Sequence, residues 1–297
     1  MSGTRADAGL ARATSTVRAT ALRIEPIAGA LGAEVLDVDI ARDLDDATVL
    51  ALRGALLDHG VLFFRDQGLD VARHKAFAQR FGTLFLHPNI AGSKSDPAVI
   101  DIVRNPGDTK IIGEDWHSDT PQVENPPMGS ILYGVDVPPY GGDTLFANQY
   151  LAYEALSEGM KAMLAGVRAM HSDRRTAGPA RNLAASNAAK ARSDDEWRET
   201  VSFHPVFRTH PETRRKALYV NRQSTITFEH MTEAESRPLL EYLCLHAHRP
   251  EFTCRFRWRN GSVAFWDNRC TQHVAVNDTG MSRRVMRRLQ IVGDKPI

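Results

Sequence analysis

PPMGSILYGVDVPPYGGDTLFAN, residues 126–148, decides the fold. Two apolar runs, GSILYGVD and TLFAN, are bounded by Pro-Pro and Gly-Gly turn signals, the sequence pattern of short strands joined by tight turns. The pattern returns downstream in KALYVNRQ (216–223), FTCRFRWRN (252–260), SVAFWDN (262–268) and RRVMRRLQIVG (283–293). Upstream, LRIEPIAGALGAEVLDVDI (22–40) predicts two short strands, and VLFFRDQ (61–67) and PAVIDIVRN (97–105) one each. Helical spacing is confined to residues 44–60, 70–82, 149–166 and 232–248, the first closed by Gly60. Many short strands with a few helices outside predict a mainly β fold with flanking helices, a jelly-roll sandwich.

No composition break divides the chain, so residues 22–297 are expected as a single catalytic domain behind a tail, 1–21. Residues 171–200 are polar, alanine-rich and aperiodic, and are expected as a lid. Lysine plus arginine is 37 against 36 for aspartate plus glutamate, a balance that argues against a nucleic-acid binder. No apolar run approaches the ~20 residues of a membrane span. Three scattered cysteines and no C-x-x-C pair point to a reducing, cytoplasmic setting. The arginine-containing start of the chain leaves a mitochondrial transit peptide as the alternative.

DWHSDT (115–120) sets His117 two residues before Asp119. On an extended backbone, residues i and i+2 share a face, so an imidazole and a carboxylate project together. FWDNRCTQHVAV (265–276) supplies His273. Two histidines and one carboxylate form the facial triad of non-haem Fe(II) oxygenases. Zinc hydrolases also use three N/O ligands, so the triad alone leaves iron and zinc open. Arg284 and Arg288 share one face of the last strand, eleven and fifteen residues after His273. Arginine recognises carboxylate-like groups through bidentate bonds, and a chelating keto acid with a second carboxylate needs one such partner.

The blocks DWHSDT…ENPPMGSIL, VPPYGGDTLFAN, HPVFRTHPETRRKALYVN and WDNRCTQHVAVND…RRVMRRLQIVGDKP closely resemble the taurine dioxygenase family of Fe(II)/2-oxoglutarate-dependent oxygenases. That group includes alkylsulfatases and aryloxyalkanoate dioxygenases. The resemblance runs from about Leu22 to Lys295, in order and at matching spacing. It implies a double-stranded β-helix (jelly roll, cupin-like). It implies Fe(II) held by His117, Asp119 and His273, with 2-oxoglutarate and O2 as co-substrates. Thr144 and Arg284 match the residues that bind the far carboxylate of 2-oxoglutarate. Arg288 matches the arginine at the substrate anion, and His87 a substrate-binding histidine. The implied activity is hydroxylation of a small organic anion (alkylsulfonate, sulfate ester or aryloxyalkanoate) with release of succinate and CO2. Dimers or tetramers are the implied assembly, with a small organic acid as partner and neither nucleic acid nor membrane.

Three departures bear on the substrate. The taurine enzymes carry asparagine, an aromatic residue and phenylalanine where this chain has Gly113, Ile90 and the stretch Arg222–Gln223–Ser224. Loss of groups that enclose a small aminosulfonate relaxes that choice, so a larger, more apolar anion than taurine is expected. The alternative is a 2-oxoglutarate-dependent hydroxylase of an amino acid or secondary-metabolite precursor on the same scaffold. A metal-holding sensor need not keep His117, Asp119, His273 and Arg284 all intact, and a zinc hydrolase leaves Arg284 and Thr144 without a task. Arg174–Arg175 are expected in a solvated loop. His204, His210, His246 and His248 are expected to be structural or surface residues, and Trp116, Trp258 and Trp266 to pack in the core.

Overall fold

Val61–Phe64 is four apolar residues in a row, and all four are buried. A strand covered on both faces is written this way. In the computed structural model, which describes residues 22–108, 111–177 and 197–297, this strand is β3, inside a seven-stranded sheet. Its order is β1 (Arg23–Pro26), β2 (Ala33–Leu36), β3, β13 (Val263–Asp267), β5 (Gly129–Asp136), β15 (Arg284–Ile291) and β4 (Ile100–Arg104). A smaller sheet runs β12 (Thr253–Phe256), β6 (Thr144–Asn148), β14 (Thr271–Ala275), all antiparallel. Two satellites complete the strands: β11 (Thr225–Phe228), β7 (Arg168–Ser172) and β8 (Val201–Pro205); and β10 (Lys216–Leu218) with β9 (Phe207–Thr209).

Strand alternation sorts the core into two layers. Along β13, Val263 and Phe265 join Phe64, Phe77, Leu289 and Ile291 beneath the helices. Ala264 and Trp266 face the other way, joining Phe63, Phe146, Phe256, Trp258 and Met286 between the two sheets. Phe63 stacks on Phe256 at 4.0 Å, and Trp266 lies 5.6 Å from Phe146. Full burial of each such side chain is worth about 1.5–3 kcal/mol. The two facing sheets are the jelly roll expected from the sequence, mainly β with few helices.

Helices α1 (Asp46–His59) and α2 (Val71–Gln79) cover the outer face of the larger sheet. Asp45 caps α1 by accepting from the Thr48 amide, and Gly60, at φ +70°, closes it with its own N–H on the Leu56 carbonyl. Residues 149–166 are two helices rather than the one expected, α3 (Gln149–Glu154) and α4 (Glu158–Leu164). Asn148 caps the first and Ser157 the second, so an N-cap inside the periodic run restarts the helix. Helix α5 (Glu233–Ala247) opens with a reciprocal capping box between Thr232 and Glu235.

The tail expected over residues 1–21, and residues 178–196 of the expected lid, lie outside the described residues. Arg168–Ser172 is strand β7, so the start of the expected lid belongs to a sheet. Among the described residues, no helix is long and apolar enough to cross a membrane.

Candidate active site

His273 lies on β14 at the edge of the smaller sheet. His117 does not sit in a regular strand. It makes one isolated antiparallel bridge with His273, in which each amide donates to the other's carbonyl, at 3.0 and 2.8 Å. That bridge keeps the segment extended long enough for Asp119 to share a side with His117. The two imidazole centroids are 4.1 Å apart, and His117 Nε2 is 3.8 Å from Asp119 Oδ1. One ligand atom from each of the three residues lies within 4.8 Å of the others, and all three residues are buried.

The protonation states suit a cation. His117 Nδ1 is 2.8 Å from the Asp115 carbonyl, which only accepts, so this nitrogen carries the proton and Nε2 keeps its lone pair. Burial pulls the His117 ring below its ordinary value, although Asp119 pulls the other way. Burial, then the neighbouring His117, pulls His273 well below its own. His273 Nδ1 is buried with no hydrogen-bond partner among the described residues, so no protein group fixes that ring's tautomer. Burial alone would raise Asp119. The Arg288 charge, the two imidazoles and the Ser130 hydroxyl outweigh it and hold the carboxyl well below the usual range. Two neutral imidazoles and one ionised carboxylate are the donor set an Fe(II) ion takes.

A buried network orients that carboxylate. Ser130 Oγ donates to Asp119 Oδ2 at 2.6 Å and accepts from Asn268 Nδ2 (3.0 Å) and Gln290 Nε2 (3.2 Å). Asn268 Oδ1 accepts from Trp266 Nε1 at 2.8 Å. Sequence spacing missed Ser130, Asn268 and Gln290. The available signal was a polar residue at an inward position of an otherwise apolar strand, as Ser130 is in GSIL.

Two of the three, His117 and Asp119, line a cavity of about 280 Å3 together with Arg288, and His273 is not in its wall. Arg288 is buried, and its Nη1 donates to Asp119 Oδ1 at 3.0 Å. His87 lines the same cavity and accepts the Asn89 and Ile90 amides on Nδ1, which puts its ring proton on Nε2. All three substrate-related departures meet here, because Gly113, Ile90 and Arg222–Gln223–Ser224 are in the wall. Gly113 has φ +82°, and a Cβ on it would lie 3.0 Å from His117 Cε1, so only glycine passes this close to the ring without strain. Arg175, expected in a solvated loop, also lines the cavity, with its Nη1 on the carbonyls of Arg222 and Thr225. Arg174 instead pairs with Glu233.

Arg284 faces a smaller adjoining cavity, which shares Ile111 and Ile112 with the larger one. Its guanidinium lies 5.8 Å from the Trp258 ring, and Trp258 Nε1 donates to Thr144 Oγ1 at 2.9 Å. Because that oxygen accepts the indole proton, the Thr144 hydroxyl hydrogen is left to donate elsewhere. Thr144 is buried and in the wall of neither cavity.

A second group of ligand types, His210, Asp267 and Cys270, is also buried. Here the carboxylate is already engaged: Arg269 donates Nε to Oδ1 at 2.8 Å and Nη2 to Oδ2 at 2.7 Å. His210 Nδ1 accepts two backbone amides, so its Nε2 proton donates to Asp267 Oδ2 at 3.0 Å. With the Asp267 carboxylate and the His210 Nδ1 lone pair already engaged, this is a structural cluster. Two of the histidines expected to be structural are tied down too, His204 on the Val123 carbonyl and His246 on that of Ala152. His248 bonds Gln272 and stacks at 4.5 Å on Trp116, which is only partly buried; Trp258 and Trp266 are in the core.

Residues 23–290 match the family described as taurine catabolism dioxygenase TauD, TfdA family. An alkylsulfatase of Acinetobacter baylyi is 34% identical over 92% of this chain and 86% of its own length. An alpha-ketoglutarate-dependent sulfate ester dioxygenase of Pseudomonas putida is 35% identical over 93% and 91%. The crystal structure of a taurine dioxygenase from Burkholderia xenovorans superposes with a TM-score of 0.79 at 39% identity, over 93% of this chain and 91% of that one. With the match covering nearly the whole chain and the fold shared, this protein belongs to the TauD, TfdA family.

Proposed function

We propose that this protein is an Fe(II)/2-oxoglutarate-dependent dioxygenase that hydroxylates a small organic anion, with sulfate esters first, then alkylsulfonates and aryloxyalkanoates. The observation that carries this is the buried His117–Asp119–His273 cluster with an arginine-bearing cavity lined by His117 and Asp119. The 34–35% identity to an alkylsulfatase and a sulfate ester dioxygenase puts sulfate esters first.

In this reading His117, Asp119 and His273 hold Fe(II), which with 2-oxoglutarate and O2 supplies oxidation of a C–H bond and releases succinate and CO2. The protein's own contribution is orientation and electrostatics. Ser130 and Arg288 fix the Asp119 carboxylate. Arg284, with Thr144, receives the far carboxylate of the co-substrate. Arg288 keeps an unused N–H donor for the substrate's anion, and His87 lines the same cavity. Ile90, Ile111 and Ile112 give the cavity an apolar wall for the organic part of the substrate. A hydroxyl placed on the carbon that bears a sulfate-ester oxygen collapses to a carbonyl and frees inorganic sulfate.

We further propose one catalytic domain over residues 22–297, assembled as dimers or tetramers. A cytoplasmic location suits the three free, buried cysteines. The test is succinate formation from 2-oxoglutarate under air with Fe(II), across a panel of sulfate esters, alkylsulfonates, aryloxyalkanoates and amino acids. Substrate-stimulated succinate with the anionic members is expected. Stimulation by amino acids alone, or activity with Zn(II) but not Fe(II), overturns the proposal.

A further inference from the structure

Arg104 and Arg284 are Cα partners in the antiparallel pairing of β4 with β15. Like charges directly opposite each other across a sheet are unfavourable unless something anionic lies between them. Both side chains line the smaller cavity, and neither has an ion-pair partner among the described residues. Asp143, the carboxylate that acts on Arg284, has its Oδ2 on Arg255 at 2.6 Å. Arg104 satisfies Nη1 on the Ser282 carbonyl and Nη2 on that of Asp108.

Three polar atoms in the wall of this cavity are buried with no partner among the described residues: Arg104 Nε, Arg284 Nε and Thr279 Oγ1. Thr279 is itself only 4% exposed. The floor is Gly142, at φ +68°, where a Cβ would come 2.8 Å from Thr279 Cγ2 and 3.0 Å from Arg284 Nε. The absence of a side chain there keeps the cradle open. Burial pulls Arg284 down to about 10, with Asp143 opposing and the Arg104 charge adding to the fall, so the Arg284 guanidinium remains charged near neutrality. Two half-buried guanidiniums with no ion pair among the described residues, and one buried hydroxyl without a partner, make a site that is costly unless a ligand completes it.

We infer that Arg104 and Thr279 join Arg284 in a cradle for the far carboxylate of the dicarboxylic keto-acid co-substrate. The inference rests on the proposed reaction and adds residues that the family resemblance did not assign. Its consequence is selectivity: a monocarboxylic keto acid leaves both guanidiniums unpaired, whereas 2-oxoglutarate neutralises them.

The test is calorimetric titration of the Mn(II)-loaded full chain with 2-oxoglutarate and with 2-oxobutyrate, which lacks the far carboxylate. For Arg104→Met, the Kd for 2-oxoglutarate is expected to rise about ten- to hundredfold and that for 2-oxobutyrate to stay level. Thr279→Val, close to isosteric, is expected to give a rise of about three- to tenfold, again for 2-oxoglutarate only, and keeps the test open if Arg104→Met does not fold. Unchanged 2-oxoglutarate binding in the folded variants, or equal weakening of both keto acids, overturns the cradle. Wild-type protein that holds metal but binds no 2-oxoglutarate overturns the proposed reaction itself, a result the wild-type titration reads separately.

Discussion

Ser130→Ala removes the centre of the network behind the triad. Ser130 is fully buried on β5, with Trp266 and Gln290 as its cross-strand Cα partners. Its hydroxyl donates at 2.6 Å to Asp119 and accepts from Asn268 and Gln290, so one substitution removes three hydrogen bonds. A hydrogen bond to a charged group contributes about 1.5–3 kcal/mol, and each buried amide left without an acceptor costs about 1–3 kcal/mol. A net loss of at least about 3 kcal/mol in the metal-free protein is expected after relaxation, read by urea unfolding. Because Ser130 orients a ligand carboxylate, the Kd for Fe(II) is expected to rise about ten- to hundredfold in anaerobic titration of the folded variant. Loss of stability with Fe(II) affinity unchanged would refute the reasoning, since Ser130 would then serve packing alone.

Asp119→Ala is expected to abolish turnover with every substrate and to remove Fe(II) from the purified protein, as metal analysis reads directly. Arg288→Met also removes a hydrogen bond from Asp119, so it is expected to weaken Fe(II) binding whatever the substrate. At saturating Fe(II) it is expected to raise KM about tenfold more for anionic substrates than for neutral analogues; equal KM changes in substrate-panel kinetics would count against its role at the anion. Asp267→Asn strands Arg269 and His210 in the core and is expected to cost about 3–5 kcal/mol in denaturant unfolding, with metal content per folded molecule unchanged. Burial pulls the fully buried His74 and His171 rings down to about 3, with the charges of Arg287 and His204 respectively adding to the shift. Both rings stay neutral when folded and take up protons when unfolded, so their contribution is intact above about pH 6.5 and is lost as pH falls, by about 1.4 kcal/mol per unit for each ring. Unfolding series at pH 7.5, 6.5 and 5.5 should show His74→Gln shedding one ring's share of that slope.

The sequence by itself determined the strand-rich architecture, which is written locally, and it singled out His117, Asp119 and His273 as candidate ligands through spacing joined to the family resemblance. Val61–Phe64 is apolar without a break because both faces of β3 are covered, and β13 alternates because Phe265 and Trp266 belong to different core layers. His117 and Asp119 share a side by i, i+2 spacing, and Arg284 and Arg288 by i, i+4 on one strand. Tertiary structure decided what depends on register and on segments distant in sequence. The isolated bridge between residues 117 and 273 brings the histidines together, Ser130 meets Asp119 only because β5 lies between β13 and β15, and Arg104 faces Arg284 only because β4 pairs beyond β15. Side-chain periodicity encodes which face a residue takes; which residue lies opposite is set by how strands pair across the chain, and one position of slip would exchange every face.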